Sequence, residues 1–205
     1  QYRHPGCVKA VKFIFWLIFI SYICSPGTIY SQGTAKASHS AGPSMEQKIH
    51  RIEVNGRSPH PDQTPIVITE QELNSYLSSD DIDLPVGVRS VKLEGEPGII
   101  TGTAAIDFDR IREGSGSSNP LLSMFSGIHE VIAVAHAYGA GGEGFVHVDS
   151  VSLDGVDIPQ FVLELFVEKF LQPKYSQIGI DSRFKLPNRI DTAKVGLHTI
   201  ILTQK

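Results

Sequence analysis

The chain has 205 residues, 41% of them hydrophobic and 20% charged, the composition of an ordinary globular protein. Its 18 basic and 22 acidic residues give a net charge of −4. That balance argues against nucleic acid as a partner, because such binding depends on cations that neutralise phosphates.

At the N-terminus, Lys9 and Lys12 precede FIFWLIFISYIC, a twelve-residue apolar core from Phe13 to Cys24. A membrane-spanning helix needs roughly 20 residues, so this core fits a signal peptide better. Ser25 and Gly27 suit a cleavage site, with Ser31 as a second candidate. An uncleaved anchor over Val8 to Tyr30 is the alternative. Residues 1–31 are therefore read as a signal peptide or membrane anchor. Either places the protein outside the cytoplasm, in the periplasm or cell envelope.

Cys7 and Cys24 both lie in that segment, and Ser21-Tyr22-Ile23 is a poor match to a lipobox. Cleavage would leave no cysteine, hence no disulfide and no thiolate site. It would also remove Arg3, Lys9 and Lys12, three of the 18 basic residues, leaving 15 against 22 acidic and a net of −7. Residues 32–44 are small and polar and read as a flexible linker. Residues 45–205 have the size of one domain.

Within that domain Ile49, Ile52 and Val54 suggest a first short strand, followed by the turn-rich RSPHPDQTP and by IVIT. Thr69 with Glu72 makes a capping box, and Leu73, Tyr76 and Leu77 give the short helix behind it one apolar face. VRSVKLEG and IITGTAAIDF alternate as strands around the turn Glu96-Pro97-Gly98. Residues 111–127 read as a loop in which LLSMF forms a short helix or flap. HEVIAVAHAY and GFVHVDSVSL are the next strand pair, joined by GAGGEG. Asp154-Gly155 then turns into a long second helix, with Asp157 or Ile158 near its cap, Pro159 in its first turn and Pro173 at its end. SRFKLPNRIDTAKVGLHTIILT is strand-like throughout. The order β-β-α-β-β-β-β-α-β-β, joined by hairpins, predicts an α+β fold: a long curved antiparallel sheet wrapped on one long and one short helix.

A loose repeat runs through this order. TEQELNSYL is followed by Leu84-Pro85 and VGVRSVKLEG; PQFVLELFVEKFLQ is followed by Leu186-Pro187 and NRIDTAKVGLHTIIL. With the Leu-Pro pairs aligned, Val88 meets Ile190 and Lys92 meets Lys194.

Few residues suggest chemistry. Gly139, Gly141 and Gly144 match a dinucleotide fingerprint, but a strand follows them where a helix is required, so a glycine-rich hairpin is expected. His129, His136 and His147 lack metal-ligand spacing, and His129 and His136, seven apart, fall on opposite faces of a regular strand. Asp107 and Asp109 share a strand face, with Asp149 on another strand, in the manner of paired glycosidase carboxylates. Solvent-facing strand positions explain them without any added assumption. The expectation is a non-enzymatic protein with no metal and no cofactor.

On the second helix, Val162, Leu163, Phe166, Val167, Phe170 and Leu171 fall on one arc, expected to face the core. Phe161 and Leu165 lie outside it, a second apolar stripe for either a covering element or an apolar ligand. Phe161, Leu165, Val162 and Phe166 are the candidate lipid-binding residues.

FVHVDSVSLDGVDIPQFVLELFVEKFL followed by FKLPNRIDTAKVGLHTIIL resembles the LmeA-like phospholipid-binding proteins of bacteria, through Val151, Leu153, Gly155, Ile158, Pro159, Leu186 and Pro187. ITEQELNSYL also looks like the opening of exported proteins with related tubular lipid-binding folds. The resemblance covers about two-thirds of the chain. It implies an exported protein holding acyl chains or phospholipid in an elongated apolar groove, working at a membrane surface. The chain departs from that group in its glycine-rich loops and in lacking a basic cluster for a phosphate headgroup. The competing expectation is an envelope assembly protein whose sheet edges bind a partner protein.

Overall fold

A computed structural model of the protein describes residues 44–79, 82–115, 126–168 and 179–205. The expected signal peptide or anchor, most of the linker, LLSMF and the end of the second helix lie outside these residues.

The first element, α1 (Met45–Gly56), is a helix and not the expected strand. Ser44 caps it by accepting the Gln47 amide. Met45, Ile49, Ile52 and Glu53 then recur on one buried face while Val54 is exposed, a period of 3.6 and not 2. The loop that follows is fastened by Asn55, whose Nδ2 donates to the Asp62 carbonyl while its Oδ1 accepts the Asp62 amide.

Strand β1 (Ile66–Thr69) runs directly into α2 (Glu70–Leu77) through the expected capping box, Thr69 and Glu72 each accepting the other's backbone amide. The hairpin β2 (Val88–Glu96) and β3 (Ile99–Asp107) follows. Its last residue starts α3 (Phe108–Ser115), which occupies the first part of the expected 111–127 loop. Strands β4 (Ile128–Ala140) and β5 (Glu143–Leu153) form the longest hairpin. Short β6 (Val156–Asp157) leads to α4 (Gln160–Phe166), whose N-cap is Pro159 without a side-chain bond. The chain closes with β7 (Asp181–Lys185), β8 (Ile190–Gly196) and β9 (Thr199–Gln204).

All strand pairings are antiparallel. The path runs β1-β9-β8-β4-β3-β2, and β5 lies on the other edge of β4, carrying β6 and β7. Four helices among the described residues and one large antiparallel sheet make this an α+β protein. One sheet face is covered. Ile66, Ile68, Val91, Leu93, Ile100, Ala104, Ile106 and Leu202 meet Met45, Ile49 and Ile52 of α1 and Leu73, Tyr76 and Leu77 of α2 in a single core.

The two Leu-Pro modules share local geometry. Pro85 carbonyl accepts the Val88 amide at 2.9 Å, and Pro187 carbonyl accepts the Ile190 amide at 3.0 Å. Val88 and Ile190 are both buried, and the strand pairing shifts register immediately after each, before Ser90 and before Thr192. The turns themselves differ. The first places Gly87 at φ 88°, whereas the second puts both Asn188 and Arg189 at positive φ.

The two hairpins also meet at their tips. His198 amide donates to Gly95 carbonyl at 2.8 Å and Gly98 amide to Val195 carbonyl at 2.9 Å.

Candidate functional site

Where the hairpin tips meet the β4–β5 hairpin, the covered face opens into a cleft. Ile68 and Leu73 close it from β1 and α2, Leu93 and Ile100 from the first module, and Val195 and Ile200 from the second. Ala137, Val146, Phe184 and Leu186 form the far wall. The cleft offers about 60 Å³ to the centre of a water-sized sphere, and its wall is almost wholly apolar.

Glycines and alanines set its depth. A Cβ on Gly144 would come within 2.5 Å of the Phe184 ring, and one on Gly139 within 2.8 Å of both Ala193 and Leu186. Phe184 and Leu186 can therefore lie flat across bare backbone. The glycines of the dinucleotide-like motif are thus accounted for by packing at 139 and 144. Gly141, at φ 62°, and Gly142, at φ 80°, form the tight turn between β4 and β5. Strand follows strand there, as the sequence predicts.

Polar groups at the cleft's mouth are spoken for. Glu70 Oε2 accepts from His198 Nδ1 at 2.8 Å and from the Gly95 amide at 3.1 Å, and the His198 bond is the leading cause that lowers its pKa below the usual value. From α1, Lys48 Nζ bridges Glu72 of α2 and the Val67 carbonyl. Asn74 donates to the Leu93 carbonyl and accepts the Leu93 amide, each at 2.8 Å. These bonds lock α2 over the sheet.

The predicted lipid-binding residues lie elsewhere. None of Phe161, Val162, Leu165 or Phe166 lines the cleft. Phe161 is 71% exposed, Leu165 41% and Val162 36%, and Phe166 is half-buried. The expected core arc is therefore corrected: of its described members only Val167 is buried, because α1 and α2 already occupy the sheet face that α4 was expected to cover. Phe161 and Leu165 do stand outside the core, alongside the equally exposed Val156.

Asp107 and Asp109 do not share a strand face. Asp107 ends β3, is buried, and takes both Nε and Nη2 of Arg89 while accepting the Arg110 amide at the start of α3. The Arg89 bonds lead in holding its carboxyl below the usual range. Asp109, on α3, accepts from Arg112 and from the Gly127 amide. A structural ion pair and a helix start explain these carboxylates.

Each histidine on β4 and β5 faces a carboxylate. His136 Nδ1 lies 2.7 Å from Asp149, and His147 Nδ1 lies 2.6 Å from Asp181. His136 and His147 are direct cross-strand partners on the open face. The neighbouring pair on that face is Tyr138 and Phe145, stacked at 4.8 Å between ring centroids, with Arg183 Cζ 5.0 Å above Phe145. Among the described residues no group of three or more His, Cys, Asp or Glu converges to hold a metal.

His129 has acceptors at both ring nitrogens, Asp154 Oδ2 at 2.6 Å and Ser126 carbonyl at 3.0 Å, and only an imidazolium can donate to both. The Asp154 bond leads in raising its pKa above 6.5, and the same bond leads in lowering that of Asp154 below 3.8. A raised histidine pKa gives stability that is complete below 6.5 and is lost as pH rises through the folded-state value. The lowered Asp154 pKa gives stability that is present above 3.8 and lost as pH falls. The melting temperature should therefore decline from mildly acidic to mildly alkaline pH, and His129→Gln should flatten that decline. An identical slope in the variant would show that this pair does not govern it.

No family model matches the chain, and no curated protein or solved structure matches it. Among the described residues no helix is long and apolar enough to cross a membrane.

Proposed function

We propose that this is an exported, non-enzymatic protein that binds an acyl chain or phospholipid in the cleft between its two hairpin modules. The observation that carries the reading is the cleft itself. Residues from both modules, α2 and the β4–β5 hairpin converge on one apolar hollow. In this reading the sheet curves about the cleft, and burial of each CH₂ contributes about 0.8 kcal/mol. The exposed Phe161 and Leu165 serve as a contact with the membrane surface from which the lipid is drawn. The resemblance to LmeA-like proteins supports the same reading, with headgroup recognition left to neutral groups because the cleft mouth carries Glu70 and Glu94.

Val195→Trp should test this by filling the cleft from one half-buried wall. A fluorescent fatty acid should bind the wild type, and the variant's affinity should fall at least about tenfold, while its stability falls by no more than the roughly 1–3 kcal/mol that an enlarged side chain costs at a packed wall. Wild-type protein that neither binds the probe nor carries lipid in native mass spectrometry from its own envelope would overturn the proposal.

A further inference from the structure

The sheet's edges are treated unequally. At the β1 edge Lys48 Nζ takes the Val67 carbonyl, and at the β2 edge Asn74 takes both backbone groups of Leu93 while Glu70 takes the Gly95 amide. The edge of β7 has no such cover among the described residues.

The ladder fixes which groups β7 presents. Leu186 amide donates to Gly142 carbonyl and Val148 amide to Ile180 carbonyl, so residues of even number bond to β5. By the alternation of an antiparallel pair, the amides and carbonyls of Asp181, Arg183 and Lys185 point away from β5. Their side chains all stand on the open face and are exposed.

We propose that this edge pairs antiparallel with the same edge of a second copy of the chain, about a twofold axis at Arg183. That register sets Arg183 opposite its own copy and Asp181 opposite Lys185 of the second copy, twice over. Each facing pair is of the hydrogen-bonded type, giving roughly six bonds, two for each of three pairs. The charges decide the partner. Asp181 is hydrogen-bonded to His147 and Arg183 is paired with Glu143, so against a neutral strand the Lys185 charge would stand unmatched, the usual protection of an edge. Against a second copy the outer two become opposite-charge pairs. The central arginines are already neutralised by Glu143 and laid on Phe145, which limits their repulsion. On the covered face Ser182 meets the half-buried Phe184 of the copy, a small residue against a large one.

Sedimentation velocity of the full chain over a wide concentration range tests the pairing. The wild type should pass from monomer to dimer. Asp181→Lys and Lys185→Asp should each raise the dissociation constant roughly tenfold by turning two attractive pairs into repulsive ones. The double swap Asp181→Lys/Lys185→Asp should restore it. Arg183→Pro should abolish the dimer while keeping the fold, because the amide it removes does not bond to β5. Should a single reversal fail to fold, the double swap and Arg183→Pro decide. A wild type that stays monomeric overturns the proposal. So does a dimer with the same dissociation constant in both single reversals, which would place the contact elsewhere.

Discussion

Gln204→Leu should destabilise the protein by about 3 kcal/mol, although leucine keeps the volume and lies in an apolar neighbourhood. Gln204 is 3% exposed, at the end of the last strand. Its Nε2 donates to the carbonyls of Ile52, at 2.8 Å, and Asn188, at 2.6 Å, while its Oε1 accepts from Asn55 Nδ2 at 2.8 Å. One side chain thus closes α1, the turn of the second module and β9 upon each other. Leucine would remove the donor from the buried Ile52 carbonyl and the half-buried Asn188 carbonyl, while Asn55 Nδ2 would keep the Asp62 carbonyl; each lost partner costs about 1–3 kcal/mol less whatever water can restore. Chemical denaturation at neutral pH measures the loss. A change below about 1 kcal/mol would mean that water reaches these groups freely.

Nothing near Gln204 in the sequence announces this. Its partners stand 149 and 152 residues earlier and 16 residues earlier, and a glutamine in TIILTQK reads as the polar end of a strand. The features legible in sequence are those whose causes are local. The Thr69–Glu72 box needs only four consecutive residues, and the Pro-Gly and Gly-Gly turns need only positive φ at fixed places. The Leu-Pro repeat was readable because a proline carbonyl, a turn and a buried β-branched residue lie within five positions. Its matching strand irregularities were not, since register depends on the partner strand.

The misreading of α1 has the opposite origin. Three apolar residues at 49, 52 and 54 satisfy a helix in part and a strand in part, and the deciding members, Ser44 and Met45, stand upstream in what reads as linker. The cleft was illegible for a similar reason. Leu93, Ile100, Val146, Phe184 and Val195 each look like ordinary strand positions, and only the pairing brings them to one place. The apolar stripe that did stand out, Phe161 and Leu165, was conspicuous because it has no packing role among the described residues. Asn74 lies between these cases. The motif around it was visible, but its task, holding the backbone of Leu93 at an open strand edge, becomes apparent only when β2 lies beside α2.

Ile106→Ala should cost about 3–5 kcal/mol, and the contrast with α4 gives that figure its meaning. Ile106 is 1% exposed, opposite Val88 on one side and His129 on the other, at the point where the first module joins the β4–β5 hairpin. Removing three carbons there loses their transfer free energy and leaves a cavity that two paired strands cannot close. Ile106→Val, which removes one methyl group, should cost about 1 kcal/mol. Phe161→Ala, at a residue 71% exposed, should change stability by less than about 0.5 kcal/mol, although it deletes a larger side chain. If the sheet face under α1 and α2 is the core, the order of loss is Ile106→Ala, then Ile106→Val, then Phe161→Ala, and denaturant midpoints will show it. A Phe161→Ala variant as unstable as Ile106→Ala would instead make α4 part of the core. Its apolar stripe would then no longer be available to a membrane surface.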